Sequence, residues 1–428
     1  RSPISGLRSP VSGLRSPISG PRSPISGLPG PRSPVPDLRS PVPGPRSPVQ
    51  SLVLKTMNIL ALMPDAYRGF GGIAQYNRDL IDALLGSSRV DQIVSLTRHF
   101  PDTNSGLKPP PTKLVQHFLP GSAPRYALAA LRHGLKLRPD VILCGHINLL
   151  PIAALLKKLT GRPLILEAYG IEAWERLPGL RSWGIQQVDL VIAISRFTRE
   201  QLIRWSGIEP DRVRVVPNAV HLNYYSSGEK PRYLVERYGV EGKRVLLTVG
   251  RLPGYERYKG QDKIIAILFK LLTRVPNLVY IIVGDGSDRA RLEAMVSALA
   301  HQEHVIFAGR ISEDEKIDHY NLADAFAMPS TSEGFGFVFL EAAACGLPVL
   351  GGRHDGSRDA LVDGQLGVMV DPERPDELLD GLEAILRQAK RVPDCLKPFD
   401  FPRFKTQVEE LVVRTGDRGP ETGDGRRV

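Results

Sequence analysis

From residue 57 onward, short continuous apolar runs alternate with longer stretches whose apolar residues recur at helical spacing. Residues 58–63 (Asn-Ile-Leu-Ala-Leu-Met) predict a buried strand that stops at Pro64 and Asp65. A glycine turn, Gly69 to Gly72, leads into a helical pattern over 73–85 with Ile73, Tyr76, Leu80, Ile81 and Leu84 on one face. Strands are predicted again at 92–96, 140–144, 163–167, 189–194 and 213–216, with helices over 125–137, 151–160 and 196–206. Runs that do not alternate fit parallel strands covered on both faces. After the turn at Pro217-Asn218 the pattern starts over. Strands are predicted at 244–249, 278–283, 305–308, 324–328 and 348–351, with helices over 261–274 and 288–300. A loop running into a helix spans 333–344.

The pattern predicts an α/β chain of two Rossmann-like domains facing a central cleft. We assign 57–218 to an N-terminal domain and 219–395 to a C-terminal one. Residues 396–413 are read as a helix crossing back to the N-terminal domain, and 414–428 as a disordered tail. Ligands of such folds bind outside the carboxyl ends of the strands, which places the chemistry in the cleft.

Residues 1–56 break the pattern. They repeat Arg-Ser-Pro-Ile/Val-Ser-Gly every seven residues and hold thirteen of the 37 prolines. Proline in each repeat excludes a coiled coil, and so little apolar surface cannot offset the entropy of ordering. This Arg-Ser-Pro segment is read as disordered, and as an upstream repeat preceding a start at Met57. A tail for acidic partners, or one phosphorylated at Ser-Pro, is the other reading.

Length and composition narrow the classes. At roughly 150 residues per domain, 428 residues suit two or three domains. With 42% hydrophobic and 24% charged residues, a mostly disordered or collagen-like chain is excluded. Three scattered cysteines form neither a disulfide framework nor a zinc motif and fit a reducing, cytoplasmic setting. The net charge of +10 suggests nucleic acid, but it is unevenly spread. Residues 1–56 carry +7, residues 57–218 carry +7 and the remainder −4. Nucleic-acid binding would therefore rest on the tail, and we expect no nucleic-acid partner. The basic amphipathic stretch Arg125 to Arg138, with Lys157-Lys158, can meet the inner face of an anionic membrane peripherally or form a solvated rim.

The most informative stretch is Glu333-Gly-Phe-Gly-Phe-Val-Phe-Leu-Glu341. Gly334 and Gly336 let backbone approach a ligand, and the following helix presents free N–H groups to phosphate. Glu341 lies in an apolar context, so it needs partners. Upstream, Arg251 follows a strand and Lys259 precedes a helix, a pair able to meet a diphosphate. Taken singly, each reads first as a surface charge. No Asp-x-Asp metal motif sits at a strand end.

Together with Gly71-Gly72, His146, Ser195 to Thr198, Pro217-Asn218, Gly250 to Leu252, Gly284 to Gly286, Gly309-Arg310 and Pro329-Ser330, this set resembles the retaining glycosyltransferases of the GT-B fold, glycosyltransferase family 4 (glycosyl transferase group 1), over about 57–413. The resemblance implies a metal-independent hexosyltransferase with no required cofactor. Its donor would be a nucleotide-diphosphate sugar, UDP- or GDP-linked. Its acceptor would be a hydroxyl of a glycan or lipid-linked molecule, as in cell-surface polysaccharide or glycolipid synthesis. The alternatives are a nucleotide-sugar epimerase on the same fold, or a nucleic-acid-binding protein acting through the basic tail.

Residue by residue, the resemblance gives Arg251 and Lys259 the donor diphosphate and Glu333 the sugar hydroxyls, beside Gly334 and the N–H groups of Phe335 and Gly336. Phe337 and Val338 would lend N–H groups to phosphate, Glu341 would hold the ribose, and Arg310 would mark where backbone meets the base. Gly72 would allow close approach, and His146 would line the acceptor side near the reacting carbon. The chain departs from the family in its longer Arg251–Lys259 gap, where Arg257 competes with Lys259. It also has His221 where Asp is frequent, and Asp355-Gly356 where many members have Pro-Glu.

Overall fold

The apolar runs fold as buried parallel strands. The computed structural model describes residues 55–67, 71–98, 112–119, 121–254 and 257–419. The repeat up to residue 54 and residues 420–428 lie outside the described residues.

The first half comprises β1 (Met57–Met63), α1 (Gly72–Leu85), β2 (Val90–Thr97), β3 (Leu114–Phe118), α2 (Ala123–Leu137), β4 (Val141–Cys144), α3 (Leu150–Thr160), β5 (Leu164–Ala168), α4 (Leu180–Ile185), β6 (Leu190–Ala193), α5 (Arg196–Ser206) and β7 (Val213–Val215). Its seven strands are parallel in the order β3-β2-β1-β4-β5-β6-β7. The central strand β1 pairs Ile59 with Ile93 on one side and with Val141 on the other. Apolar side chains fill both faces of this sheet, which is why its inner strands β1, β4, β5 and β6 read as largely apolar runs.

The second half comprises α6 (Arg232–Tyr238), β8 (Arg244–Val249), α7 (Gln261–Arg274), β9 (Leu278–Val283), α8 (Arg289–Ala298), β10 (Val305–Gly309), α9 (Glu313–Leu322), β11 (Ala325–Met328), α10 (Phe337–Ala344), β12 (Val349–Gly352), α11 (Ser357–Ala360), β13 (Val368–Val370) and α12 (Pro375–Arg387). Its strand order is β10-β9-β8-β11-β12-β13. In each sheet the strand earliest in the chain stands third in the order, and the order reverses beside it. The crevice for a ligand opens at such a reversal. The turn after β1 carries Gly71-Gly72, and the turn after β8 carries Gly250-Arg251, so both reversals coincide with glycine turns picked out in the sequence.

A final helix, α13 (Phe401–Gly416), packs on α1 of the first half. The Phe404 ring meets Tyr76 edge-on at 5.5 Å, and Ser87 donates to Glu409 at 2.5 Å. The helix runs three residues beyond 413, so residues 414–416 are helical rather than part of a disordered tail. Its buried stripe of Phe404, Val408 and Val412 continues to Thr415, which keeps the last turn packed.

Several elements were not anticipated from sequence. The edge strand β3 has four half-exposed residues out of five, and β13 is three residues long, so neither shows a continuous apolar run. The helix α12 buries Leu378, Leu379, Leu382, Ile385 and Leu386 on one face, a pattern present in the sequence but passed over.

Candidate functional site

The loop 331–336 is shaped by two glycines. Gly336 caps α10 with φ of 87°, a left-handed conformation, and a Cβ there would lie 2.6 Å from the Phe339 ring. A Cβ at Gly334 would lie 2.0 Å from the Tyr169 carbonyl oxygen and 3.2 Å from the Gly170 Cα. The loop bearing Glu333 therefore rests directly on backbone of the first half, just past β5. A second contact across the cleft joins Gly72, at the start of α1, to Phe337, the first residue of α10. A Cβ at Gly72 would come within 2.9 Å of the Phe337 ring.

Two candidate side chains meet at this junction. Lys259 Nζ donates to Glu333 Oε2 at 2.8 Å, and both side chains are largely shielded, at 13% and 16% exposure. The Lys259 stem lies over Gly250, where a Cβ would be 3.2 Å from its Cδ. Arg251 reaches toward the first half, its Nε 3.9 Å from a Cβ placed on Gly71. The structure thus gathers Gly72, Arg251, Lys259, Glu333, Gly334, Gly336 and Phe337 at one place. Arg257 points elsewhere: its Nε donates to the Gly254 carbonyl at 3.1 Å and lies 3.3 Å from Asp288. Lys259, not Arg257, holds Glu333.

Phe335 and Val338 place their side chains inward, the Phe335 ring 5.9 Å from Phe399. Their backbone N–H groups are what they can offer a ligand.

The other predicted residues stand further off. Glu341, in α10 and 2% exposed, has both carboxylate oxygens engaged. Tyr225 and Lys316 reach Oε1 at 2.5 and 2.9 Å, and Tyr320 reaches Oε2 at 2.8 Å. The need for partners read from its apolar flanks is met within the protein. Lys316 itself is buried and also pairs with Glu313 at 2.8 Å. Arg310 is exposed at the end of β10. His146 follows β4, and its ring centroid lies 6.4 Å from that of Tyr169. Its Nδ1 accepts the Asn148 N–H at 3.1 Å, which puts the proton of the neutral ring on Nε2. In that tautomer Nε2 is a donor, not a base.

Asp355 was noticed only as a departure, yet it organises the Glu333 loop. It is fully buried, and its Oδ2 accepts the Ser330 hydroxyl at 2.8 Å and the Glu333 N–H at 2.6 Å. Its Oδ1 accepts the Ser357 N–H at 2.9 Å. Burial pushes its carboxyl up to about 6, against the pull of these donors. Arg196 at the start of α5 was also missed in this role. It crosses to Asp359 and Asp363 of the second half, while the Phe197 N–H donates to Asp359 at 3.2 Å. The signal was an acid pair following β12, which has no meaning until the halves are folded together.

Residues 70–224 match the family described as Glycosyltransferase Family 4, and residues 235–395 match Glycosyl transferases group 1. The chain belongs to this glycosyltransferase family. It is 31% identical over 252 residues to the GDP-mannose-dependent alpha-(1-6)-phosphatidylinositol monomannoside mannosyltransferase of Mycolicibacterium smegmatis, covering 56% of this chain and 65% of that protein. It is 30% identical over 253 residues to the D-inositol 3-phosphate glycosyltransferase of Rhodococcus jostii, covering 54% and 55% respectively. The chain thus spans between about half and two thirds of these curated relatives. Its fold is similar to that of Anabaena HepE in complex with UDP and glucose, with a TM-score of 0.69 at 20% identity over 84% of this chain and 100% of that one. Sucrose-phosphate synthase from Thermosynechococcus elongatus gives 0.68 at 18% identity over 83% and 98%. This glycosyltransferase-family chain has the GT-B architecture of two facing parallel-sheet domains.

Proposed function

We propose that this chain transfers a hexose from a nucleotide-diphosphate sugar, UDP- or GDP-linked, to a hydroxyl of a glycan or lipid-linked acceptor. The observation carrying the proposal is the Lys259–Glu333 pair beside Arg251, at the N-terminus of α10, facing the glycine turn of the first half. In this reading the donor diphosphate lies against Lys259, Arg251 and the N–H groups of Phe337 and Val338. Glu333 accepts hydrogen bonds from the sugar hydroxyls, and the Nε2–H of His146 lines the acceptor side. Cations aimed at the diphosphate stabilise the charge that develops as the anomeric bond breaks, the effect such fixed groups supply best. A departing phosphate oxygen takes the acceptor proton on the same face, giving retention without a metal. The names of the two relatives, one a GDP-mannose-dependent phosphatidylinositol monomannoside mannosyltransferase and the other a D-inositol 3-phosphate glycosyltransferase, support a nucleotide sugar and a polyol or lipid acceptor.

The test is nucleotide release from GDP-mannose and UDP-glucose by the full chain, alone and with lipid or glycan acceptors. Release of one nucleotide, lost in Glu333→Gln, supports the reading. Neither donor bound or consumed at millimolar concentration sinks it.

Three helices of the first half support a lipid-bound acceptor. α2, α3 and α4 pack side by side: Cβ atoms at Gly134 and Gly184 would strike Leu156 and Leu150. They contain no acidic residue, and they expose Leu128, Leu135, Leu155, Leu159, Leu180 and Trp183 beside Arg125, Arg132, Lys136 and Lys158. Among the described residues no helix is long and apolar enough to cross a membrane. A basic face carrying exposed leucines suits the surface of an anionic bilayer. The full chain should sediment with phosphatidylglycerol vesicles and not with phosphatidylcholine ones. The double variant Arg132→Glu/Lys158→Glu should weaken that binding about tenfold or more. Equal partition onto both lipids would remove the membrane from the proposal.

A further inference from the structure

Behind the cleft wall, β5 runs into a buried acid that the transfer reaction does not use. Glu167 has no exposed surface. Its Oε2 lies 2.5 Å from the Tyr169 hydroxyl, and that hydroxyl lies 2.5 Å from Asn77 Oδ1. The Asn77 amide has a set orientation, because its Nδ2 lies 2.5 Å from the Asp65 carbonyl oxygen, which can only accept. Tyr169 therefore faces two acceptors if Glu167 is ionised, and a phenol has one proton to give. One of the two close contacts would then be an oxygen–oxygen repulsion. With a proton on Glu167 both become hydrogen bonds, in a chain from Glu167 to Tyr169 to Asn77 to the Asp65 carbonyl.

The surroundings agree. Glu167 Oε1 has no hydrogen-bond partner among the described residues, which a neutral carbonyl oxygen tolerates far better than a carboxylate oxygen. Tyr76 from α1, Cys144 from β4 and Tyr169 face Glu167, and its register partner on β6 is Ile192. None of these is a cation. Burial pushes the Glu167 carboxyl up to about 7, against the pull of the Tyr169 hydroxyl, and the Cys144 thiol up to about 12.

We propose that Glu167 is a positioning residue held protonated, donating to Tyr169 so that Tyr169 can brace Asn77 of α1. The consequence reaches the cleft from both ends of the chain. The Tyr169 carbonyl is the backbone on which Gly334 rests, and Asn77 lies in the helix that Gly72 begins. Loss of the proton would loosen the first-half wall against the Glu333 loop.

The sign of the pH effect follows from the raised value. The folded state holds this proton more tightly than the unfolded chain, whose ordinary carboxyl titrates near 4.5. The contribution of Glu167 to stability is full below that value and is lost as pH rises through about 7. The experiment is thermal unfolding of the full chain between about pH 4 and about pH 8.5, either side of the interval from 4.5 to about 7. Glu167→Gln keeps an N–H donor for Tyr169 and cannot ionise. It should hold the wild-type Tm at the acid end and exceed it by ~2–4 °C at the alkaline end. An infrared difference spectrum between the two proteins should show a protonated-carboxyl band at the acid end, replaced by a carboxylate band at the alkaline end. Parallel Tm curves for the two proteins, or a carboxylate band already present at the acid end, overturns the proposal. So does a Glu167→Gln protein as unstable at the acid end as Glu167→Leu. Neither readout uses a sugar donor, so failure here is distinguishable from failure of the proposed transfer.

Discussion

Lys259→Ala should lower kcat for sugar transfer by about 10²–10³-fold at saturating donor. Lys259 is 2.8 Å from Glu333 and largely shielded, so its charge acts in a medium that screens it weakly. The single replacement removes the cation that the proposal places on the leaving diphosphate, and it leaves the Glu333 carboxylate without its partner. Lys259→Arg should recover only part of the loss. Its planar fork is longer than an ammonium, and the stem is confined against Gly250. Steady-state kinetics with donor varied will separate kcat from KM, and a melting curve will report any loss of fold. A kcat within about threefold of wild type would remove Lys259 from the transition state.

Gly334→Ala should be almost as damaging, for a steric reason. Its Cβ would stand 2.0 Å from the Tyr169 carbonyl, which belongs to the other half of the molecule. Neither backbone can yield alone, so the halves must part or the loop carrying Glu333 must shift by about an ångström. A displacement of that size can cost ~10²-fold in rate. The control is Gly207→Ala, where nothing lies within 4 Å and only the positive φ of 66° is strained. The two variants should melt within a few degrees of each other while only Gly334→Ala loses activity. Equal kcat/KM in both would show that the contact between Gly334 and Tyr169 is not needed for reaction.

The legibility of the site divides along the same line. Glu333, Gly334, Gly336 and Phe337 are neighbours in the chain, and Arg251 and Lys259 follow a strand at a recognisable turn. Each therefore carried a local signal. Asp355 binds the Glu333 N–H from 22 residues away, and Asn77 meets Tyr169 across 92. Such pairs leave no periodic trace. The competition between Arg257 and Lys259 was likewise open in the sequence. In the fold Arg257 lies 3.3 Å from Asp288, while Lys259 pairs with Glu333 at 2.8 Å.

By itself the sequence determined the two parallel-sheet halves and the glycine turns that follow β1 and β8. Burial of a strand on both faces, and the absence of a Cβ, are properties written one residue at a time. Only the tertiary structure decided which charges pair and which side chains of distant segments hydrogen-bond. Those outcomes depend on distances of a few ångströms between elements far apart in the chain, set by how the two sheets and α13 pack.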